Sequence, residues 1–152
     1  MFFVNDMKAE ILQRSSILRY DGSFTSLSAF LLCPSHTTAD TESGEIRAHG
    51  TLTRTEEALL LEYREEESGI RVCVRQEGDS LTVTRAGACL SFRAGEQTSF
   101  VYKTAYGALP MEAYTQKITL TEKGRTLLLT LIYTAVFGGM AQKNEMRFKI
   151  TY

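Results

Sequence analysis

From about residue 45 onward, apolar and polar side chains alternate with a period of two. This confines the chain to strands with one buried and one wet face. Ile70, Val72 and Val74 alternate with Arg71, Cys73 and Arg75, and Met146, Phe148, Ile150 and Tyr152 with Glu145, Arg147, Lys149 and Thr151. Leu59, Leu61 and Tyr63 follow the same rule, although Leu60 breaks the polar side. The uninterrupted run Leu127-Leu128-Leu129 is expected to be covered on both faces or to lie at an interface. Glycine-bearing turns separate these runs at Glu67-Ser68-Gly69, Gly78-Asp79, Ala94-Gly95-Glu96, Tyr106-Gly107, Lys123-Gly124 and Gly138-Gly139. Turns at this spacing are expected of a meander, and Gly78-Asp79 reads as a two-residue hairpin. The phase slips at Gly87 and again between Thr115 and Ile118. Both slips are read as bulges, the first bending one long strand, and bulges let a sheet curl into a barrel.

The first forty residues read differently. Asp6 is expected to cap a short amphipathic helix carrying Met7, Ile11, Leu12 and Leu18. Asp21-Gly22 makes a turn, Phe24 to Cys33 is a poorly alternating first strand, and residues 34–44, rich in Ser, Thr and Asp, form a loop. A length of 152 residues suits a single domain spanning 1–152.

A formal net charge of -1 supplies no basic excess to attract phosphate backbones or anionic lipid, so nucleic acid and membrane surfaces are not expected partners. No apolar run approaches the ~20 residues of a membrane-spanning helix. Met1-Phe2-Phe3-Val4-Asn5-Asp6 places an acid where a secretory signal wants positive charge, and Leu32 is too large to precede a lipoprotein cysteine. Cys33, Cys73 and Cys89 are odd in number and widely spaced. They read as free thiols in a reducing cytoplasm, with no metal site and no disulfide framework.

Signatures of enzymes are missing. The chain carries no Gly-rich phosphate loop, no HExxH, no G-x-S-x-G and no CxxC pair. No catalytic residue and no cofactor are assigned. The chemistry that remains is polarity at the ends of inward-facing apolar runs. Arg85 follows Leu81 and Val83, Tyr102 and Thr104 follow Phe100, and Thr115 follows Leu109, Met111 and Ala113. Tyr133 follows Leu127, Leu129 and Leu131, and Asn144 precedes Met146, Phe148 and Ile150. In an up-and-down meander these ends could meet at one mouth of the barrel. Two readings compete. Either these residues, with Tyr106 at the next turn, fix the polar end of a ligand in an apolar barrel, or Arg85 plugs a barrel filled by its own side chains and the hydroxyls satisfy it.

The stretch Tyr102-Lys103-Thr104-Ala105-Tyr106-Gly107 resembles the Tyr-x-Thr-Pro-Tyr-Gly segment of the YwiB-like family, a set of uncharacterised bacterial proteins. Gly50-Thr51-Leu52-Thr53-Arg54, Leu61-Glu62-Tyr63-Arg64-Glu65, Val83-Thr84-Arg85-Ala86-Gly87, Tyr114-Thr115 and the closing Asn144 to Ile150 follow in the family's order. The resemblance covers residues 42–152, leaving 1–23 as an N-terminal extension or short helix, and Ala105 stands where the family has proline. It implies a calycin-like (lipocalin-type) β-barrel in a bacterial cytoplasm and no established activity.

The expected fold is therefore all-β: an antiparallel meander closed into a calycin-like barrel of about eight to ten strands, with a short N-terminal helix. The leading functional expectation is non-enzymatic binding of a small, partly apolar ligand by Arg85, Tyr102, Thr104, Tyr106, Thr115, Tyr133 and Asn144. The alternative is an interaction module or homodimer using Leu128 and Ile132. An enzyme, needing Glu62, Glu112 or His49 near Arg85, ranks last.

Overall fold

A computed structural model of the protein describes residues 5–152, and the side chains of all of these except residues 5 and 102–104. Ten strands and one short helix follow in the order β1 (Asn5–Tyr20), α1 (Leu27–Leu31), β2 (Thr38–Arg54), β3 (Leu59–Arg64), β4 (Arg71–Glu77), β5 (Ser80–Arg85), β6 (Ala88–Arg93), β7 (Gln97–Thr104), β8 (Gly107–Lys123), β9 (Thr126–Phe137) and β10 (Met140–Thr151). They form a single antiparallel sheet ordered β6-β5-β4-β3-β2-β1-β10-β9-β8-β7. Every neighbour is the next strand in sequence except β1 and β10, whose pairing (Ile11 opposite Ile150) joins the first strand to the last.

The sheet curls until its two edge strands, β6 and β7, face each other across a seam. Side chains hold that seam rather than a ladder: Phe92 meets Phe100 edge-on at 5.7 Å and Tyr133 at 4.6 Å. The connector between the two strands bonds to β8, with Gly95 N–H donating to the Thr115 carbonyl at 2.9 Å and Thr115 N–H to the Glu96 carbonyl at 3.2 Å. The result is a nearly closed barrel. Leu52, Leu61, Val74, Leu81, Leu127, Leu129, Leu131, Phe148 and Ile150 fill its interior and are essentially inaccessible to water. At the end of that packed interior Arg54 forms two bonds to Glu122, at 3.1 and 3.0 Å, and the Tyr152 hydroxyl donates to the same carboxylate.

Gly50 permits the close approach of β2 and β3. A Cβ at this position would stand 2.1 Å from the Glu62 carbonyl oxygen and 2.7 Å from Tyr63 Cβ. Glycine in a strand often marks such a close approach or bend. The expected irregularity in β8 is present, as the register against β9 shifts between Thr115 and Lys117. The Gly78-Asp79 hairpin also stands, joining Glu77 to Ser80.

Four local expectations are overturned. Residues 5–20 form β1, not a helix. Met7 and Ile11 satisfy both periods, and ladders with β2 and β10 on either side of the strand decide for the extended form. Phe24 to Cys33 is not a strand. Ser26 caps α1 by accepting from the Ala29 N–H at 3.1 Å, and Leu27 and Phe30 bury against Val136 and Ala141 on the barrel's outer face. Residues 34–44 are not all loop, because β2 begins at Thr38 and its ladder with β1 is reinforced by Arg19 bridging Asp40 and Glu42. The slip at Gly87 is a turn rather than a bulge. Ala86 (φ 51°) and Gly87 (φ 79°) both lie in the left-handed region and link Arg85 to Ala88 as a two-residue hairpin.

Leu128 is 38% exposed on the outer face of β9, between Thr121 of β8 and Lys149 of β10. It is thus not covered on both sides, and α1 packs farther along the same strand.

Candidate functional site

The inward faces of β5, β6, β9 and β10 diverge at the end of the barrel opposite the Arg54–Glu122 pair. A hollow of about 350 Å³ remains there. Its apolar wall comes from Ile17, Val83, Leu90, Phe92, Phe137 and Met146, among others, and its polar groups belong to Arg85, Tyr133, Gln142 and Asn144. The β ladders explain the convergence. Asn144 lies opposite Tyr133 and Ile17, and Tyr133 lies opposite Thr115, so one row of inward positions crosses β8, β9, β10 and β1. Polar residues that close their apolar runs on separate strands thereby meet at one level.

Asn144 is 5% exposed. Its Oδ1 accepts a hydrogen bond from Gln142 Nε2 at 3.0 Å, whereas its Nδ2 has no hydrogen-bond partner among the described residues. Buried donors are almost always paired, so this one is an exception on a residue that lines the hollow.

Arg85 sits at the rim with its side chain 48% exposed. Its Nε and Nη2 donate to the two oxygens of Glu65 at 3.1 and 2.7 Å, and Ser68 Oγ donates to the same carboxylate at 2.7 Å. Glu65 is buried, and these bonds, led by that of Arg85, hold its carboxyl below the usual carboxylate range. Arg85 and Glu65 also border a second, wider cleft of about 470 Å³ between β2 and the β3–β4 turn, flanked by Glu45, Ile46, Arg47, Glu66, Glu67 and Ser68. Beyond Gly50–Tyr63 the β2–β3 ladder stops, and the wall opens there. The Tyr63 hydroxyl donates to Gln13 Oε1 at 2.7 Å. Burial and the nearby Glu65 charge, against the pull of Arg85, push its pKa far above that of a free phenol, so it stays protonated at neutral pH.

Of the residues expected at the site, Arg85, Tyr133 and Asn144 line the hollow. Thr115 belongs to the same row but is fully buried and does not reach the hollow. Its Oγ1 has no partner among the described residues. Tyr106 stands fully exposed at the tip of the β7–β8 hairpin. The side chains of Tyr102 and Thr104 lie outside the described residues. Sequence reasoning missed Glu65 and Gln142. Glu65 opens the acidic run Glu65-Glu66-Glu67, yet it continues the inward phase of Leu59, Leu61 and Tyr63. Gln142 likewise precedes Asn144 on its inward face.

The groups named as candidate acids or bases lie elsewhere. Glu62 pairs outward with Arg71, Glu112 accepts from the Leu27 N–H and from Gln97, and the exposed His49 stands 4.0 Å from Glu66. No group of three or more potential metal ligands occurs among the described residues. No helix of the described chain is long and apolar enough to cross a membrane.

Residues 34–149 match the family model described as a domain of unknown function, DUF1934. The chain belongs to this family. The crystal structure of the ywiB protein from Bacillus subtilis resembles it with a TM-score of 0.64 at 18% identity, covering 93% of this chain and 91% of the other. At that identity the likeness establishes the barrel fold that the Tyr102–Gly107 segment implied. No curated protein matches the chain. The DUF1934 match spans β2 to β10. In the fold β1 is integral, seated between β2 and β10, so the segment expected to be an extension supplies a central strand.

Proposed function

We propose that the DUF1934 barrel binds a small, partly apolar molecule in its mouth, as a carrier or sensor rather than a catalyst. The observation that carries this reading is the 350 Å³ apolar-walled hollow at one end of an otherwise tightly filled barrel. Hollows of this size with a few convergent polar groups are typical of small-molecule sites. The free thiols of Cys33, Cys73 and Cys89 favour a reducing, cytoplasmic setting. Kinship with the ligand-carrying calycin barrels accords with the meander order and rests on fold analogy alone.

The test is native mass spectrometry of the protein from its expression host, beside Ala88→Phe, which fills the hollow from β6. A reproducible adduct that denaturation releases and Ala88→Phe abolishes is the expected result. An apo mass for the wild type, with no change in melting temperature on adding the neutral apolar dye N-phenyl-1-naphthylamine, overturns the reading. A homodimer through Leu128 and Ile132 is the second reading, favoured by the exposure of Leu128. Sedimentation of Leu128→Lys against wild type decides it, since an unchanged monomer in both removes it.

A further inference from the structure

The outer face of β8, β9 and β10 carries a charge pattern that the mouth does not use. We propose that this face docks an acidic, amphipathic segment of a partner protein. The segment's apolar residues rest on Leu128 and Ile132, and its carboxylates meet the lysines on either side.

The β ladders lay the pattern out. The outward positions of β9 hold Leu128, Thr130 and Ile132, with no charge among them. On β8, Lys117 lies opposite Ile132 and Lys123 opposite Thr126, with Thr119 and Thr121 outward between them. On β10, Lys149 lies opposite Leu128, Arg147 opposite Thr130 and Lys143 opposite Thr134. An uncharged floor thus runs between two basic rails. Adjacent strands are about 5 Å apart, so the rails stand about 10 Å from each other, the width of one helix or one extended segment.

Three observations choose the occupant. The face sets five cations against one carboxylate, Glu145, which Arg147 already holds at 2.6 Å, in a chain whose formal net charge is -1. Lys117, Lys123, Lys143 and Lys149 are exposed and enter no ion pair, since every ion pair among the described residues runs through arginine or His49. Their charge is therefore available to an incoming anion. The floor is apolar at both ends, with Leu128 38% exposed and Ile132 half-buried, and it gains from apolar side chains that a nucleic acid does not offer. No aromatic ring stands among these outward positions for bases to stack on. A second copy seated on Leu128 and Ile132 would bring basic rails against basic rails, so like charge opposes the pairing that the floor alone invites.

The probe is a blocked helical peptide of about 18 residues, long enough to cover the strip, with a leucine stripe flanked by glutamates. It is titrated at neutral pH into the full chain, with backbone amide NMR shifts as the readout. Its counterpart with lysine in place of every glutamate, a deoxythymidine oligomer and phosphatidylglycerol vesicles are titrated alongside. The acidic peptide is expected to bind most tightly, with shifts confined to the outer face of β8, β9 and β10. Its affinity should fall about tenfold between about 50 and 300 mM salt. Lys117→Glu with Lys149→Glu should weaken it about tenfold, and Leu128→Ser about threefold. If the charge-reversed protein does not fold, Lys117→Gln with Lys149→Gln carries the same direction. Equal binding of the basic peptide, tighter binding of the oligomer or the vesicles, shifts centred elsewhere, indifference to the lysine changes, or no binding overturns the assignment. So does a wild-type dimer in sedimentation that Leu128→Lys dissociates, because the face then belongs to a second copy.

Discussion

Removing the Arg85 side chain should destabilise the barrel in a way that removing its partner's charge does not. Glu65 is 5% exposed and is held by two guanidinium nitrogens at 3.1 and 2.7 Å. Deleting one member of a fully buried pair costs about 3–5 kcal/mol, because the other charge is left uncompensated. The Arg85 side chain is 48% exposed, so water replaces part of what Arg85→Met removes, and we expect about 2 kcal/mol. For a chain of this size that lowers the melting temperature by about 4–8 °C. Glu65→Gln leaves a rim arginine that water can solvate and should cost under about 1 kcal/mol. The pH dependence carries the same logic. The carboxyl of Glu65 is depressed in the folded protein, so its pairing stabilises fully above the unfolded value of about 4.3 and is lost as pH falls through the lower folded value. In Arg85→Met, burial no longer opposed by the guanidinium should raise that carboxyl, and protonation relieves the penalty as pH falls. Both effects narrow the stability gap between wild type and Arg85→Met as the pH drops from 7 to 4. The assay is urea unfolding at a series of pH values for wild type, both single variants and the double variant. Equal costs for the two single substitutions, or a gap that does not change with pH, would refute the reasoning.

Three further expectations test the frame around the site. Gly50→Ala should cost about 3 kcal/mol or more in urea unfolding, because its Cβ would meet the Glu62 carbonyl at 2.1 Å, whereas Gly44→Ala, whose nearest neighbour is Ser15 Oγ at 3.6 Å, should change stability by less than about 0.5 kcal/mol. Hydrogen bonds from Arg54 and Tyr152 lower Glu122 to about 2, so carboxyl ¹³C titration should find it ionised well below its neighbours, and Arg54→Gln should return it toward about 4.3. Ser26→Ala should loosen α1 by about 1 kcal/mol, seen as faster amide exchange in residues 27–31 while exchange in β9 and β10 is unchanged.

The fold was legible wherever one face of a strand is buried and the other wet, since period two is then written in the side chains. Legibility failed where that contrast is weak. In β1, Leu12 and Leu18 sit on the outer face with Lys8 and Arg14, so apolar residues fall on both sides and mimic a helical stripe. In β2, residues 38–44 are exposed on both faces, and only the ladder with β1 makes them a strand. The hairpin at Ala86-Gly87 was hidden because alanine rarely adopts positive φ, so the slip looked like a bulge. For the site, phase along each strand put Arg85, Tyr133 and Asn144 on inward positions, and all three line one hollow. What phase cannot supply is the partner across the barrel. Glu65 and Gln142 were each readable as inward, but the pairing of Glu65 with Arg85 depends on how separate strands sit, whereas Gln142 meets Asn144 within β10.

Register also explains why the barrel is hollow at this end. One row beyond Tyr133 and Asn144 the inward positions are Ala113, Ala135 and Gln142, with Ala88 on the facing strand β6, whereas the rows at the other end carry Leu127, Leu129, Phe148 and Ile150. The three alanines bring little volume to the widening mouth, and Phe92 and Phe137 line the space they leave. Closure alone would be served better by larger apolar groups at Ala88 and Asn144, since filled space adds dispersion and an unpaired buried amide subtracts stability. The sequence instead sets small residues beside an unsatisfied donor, at the level where Arg85 is already neutralised by Glu65. Small side chains gathered at one concave place are what a binding function requires, because the missing volume can be supplied by one molecule.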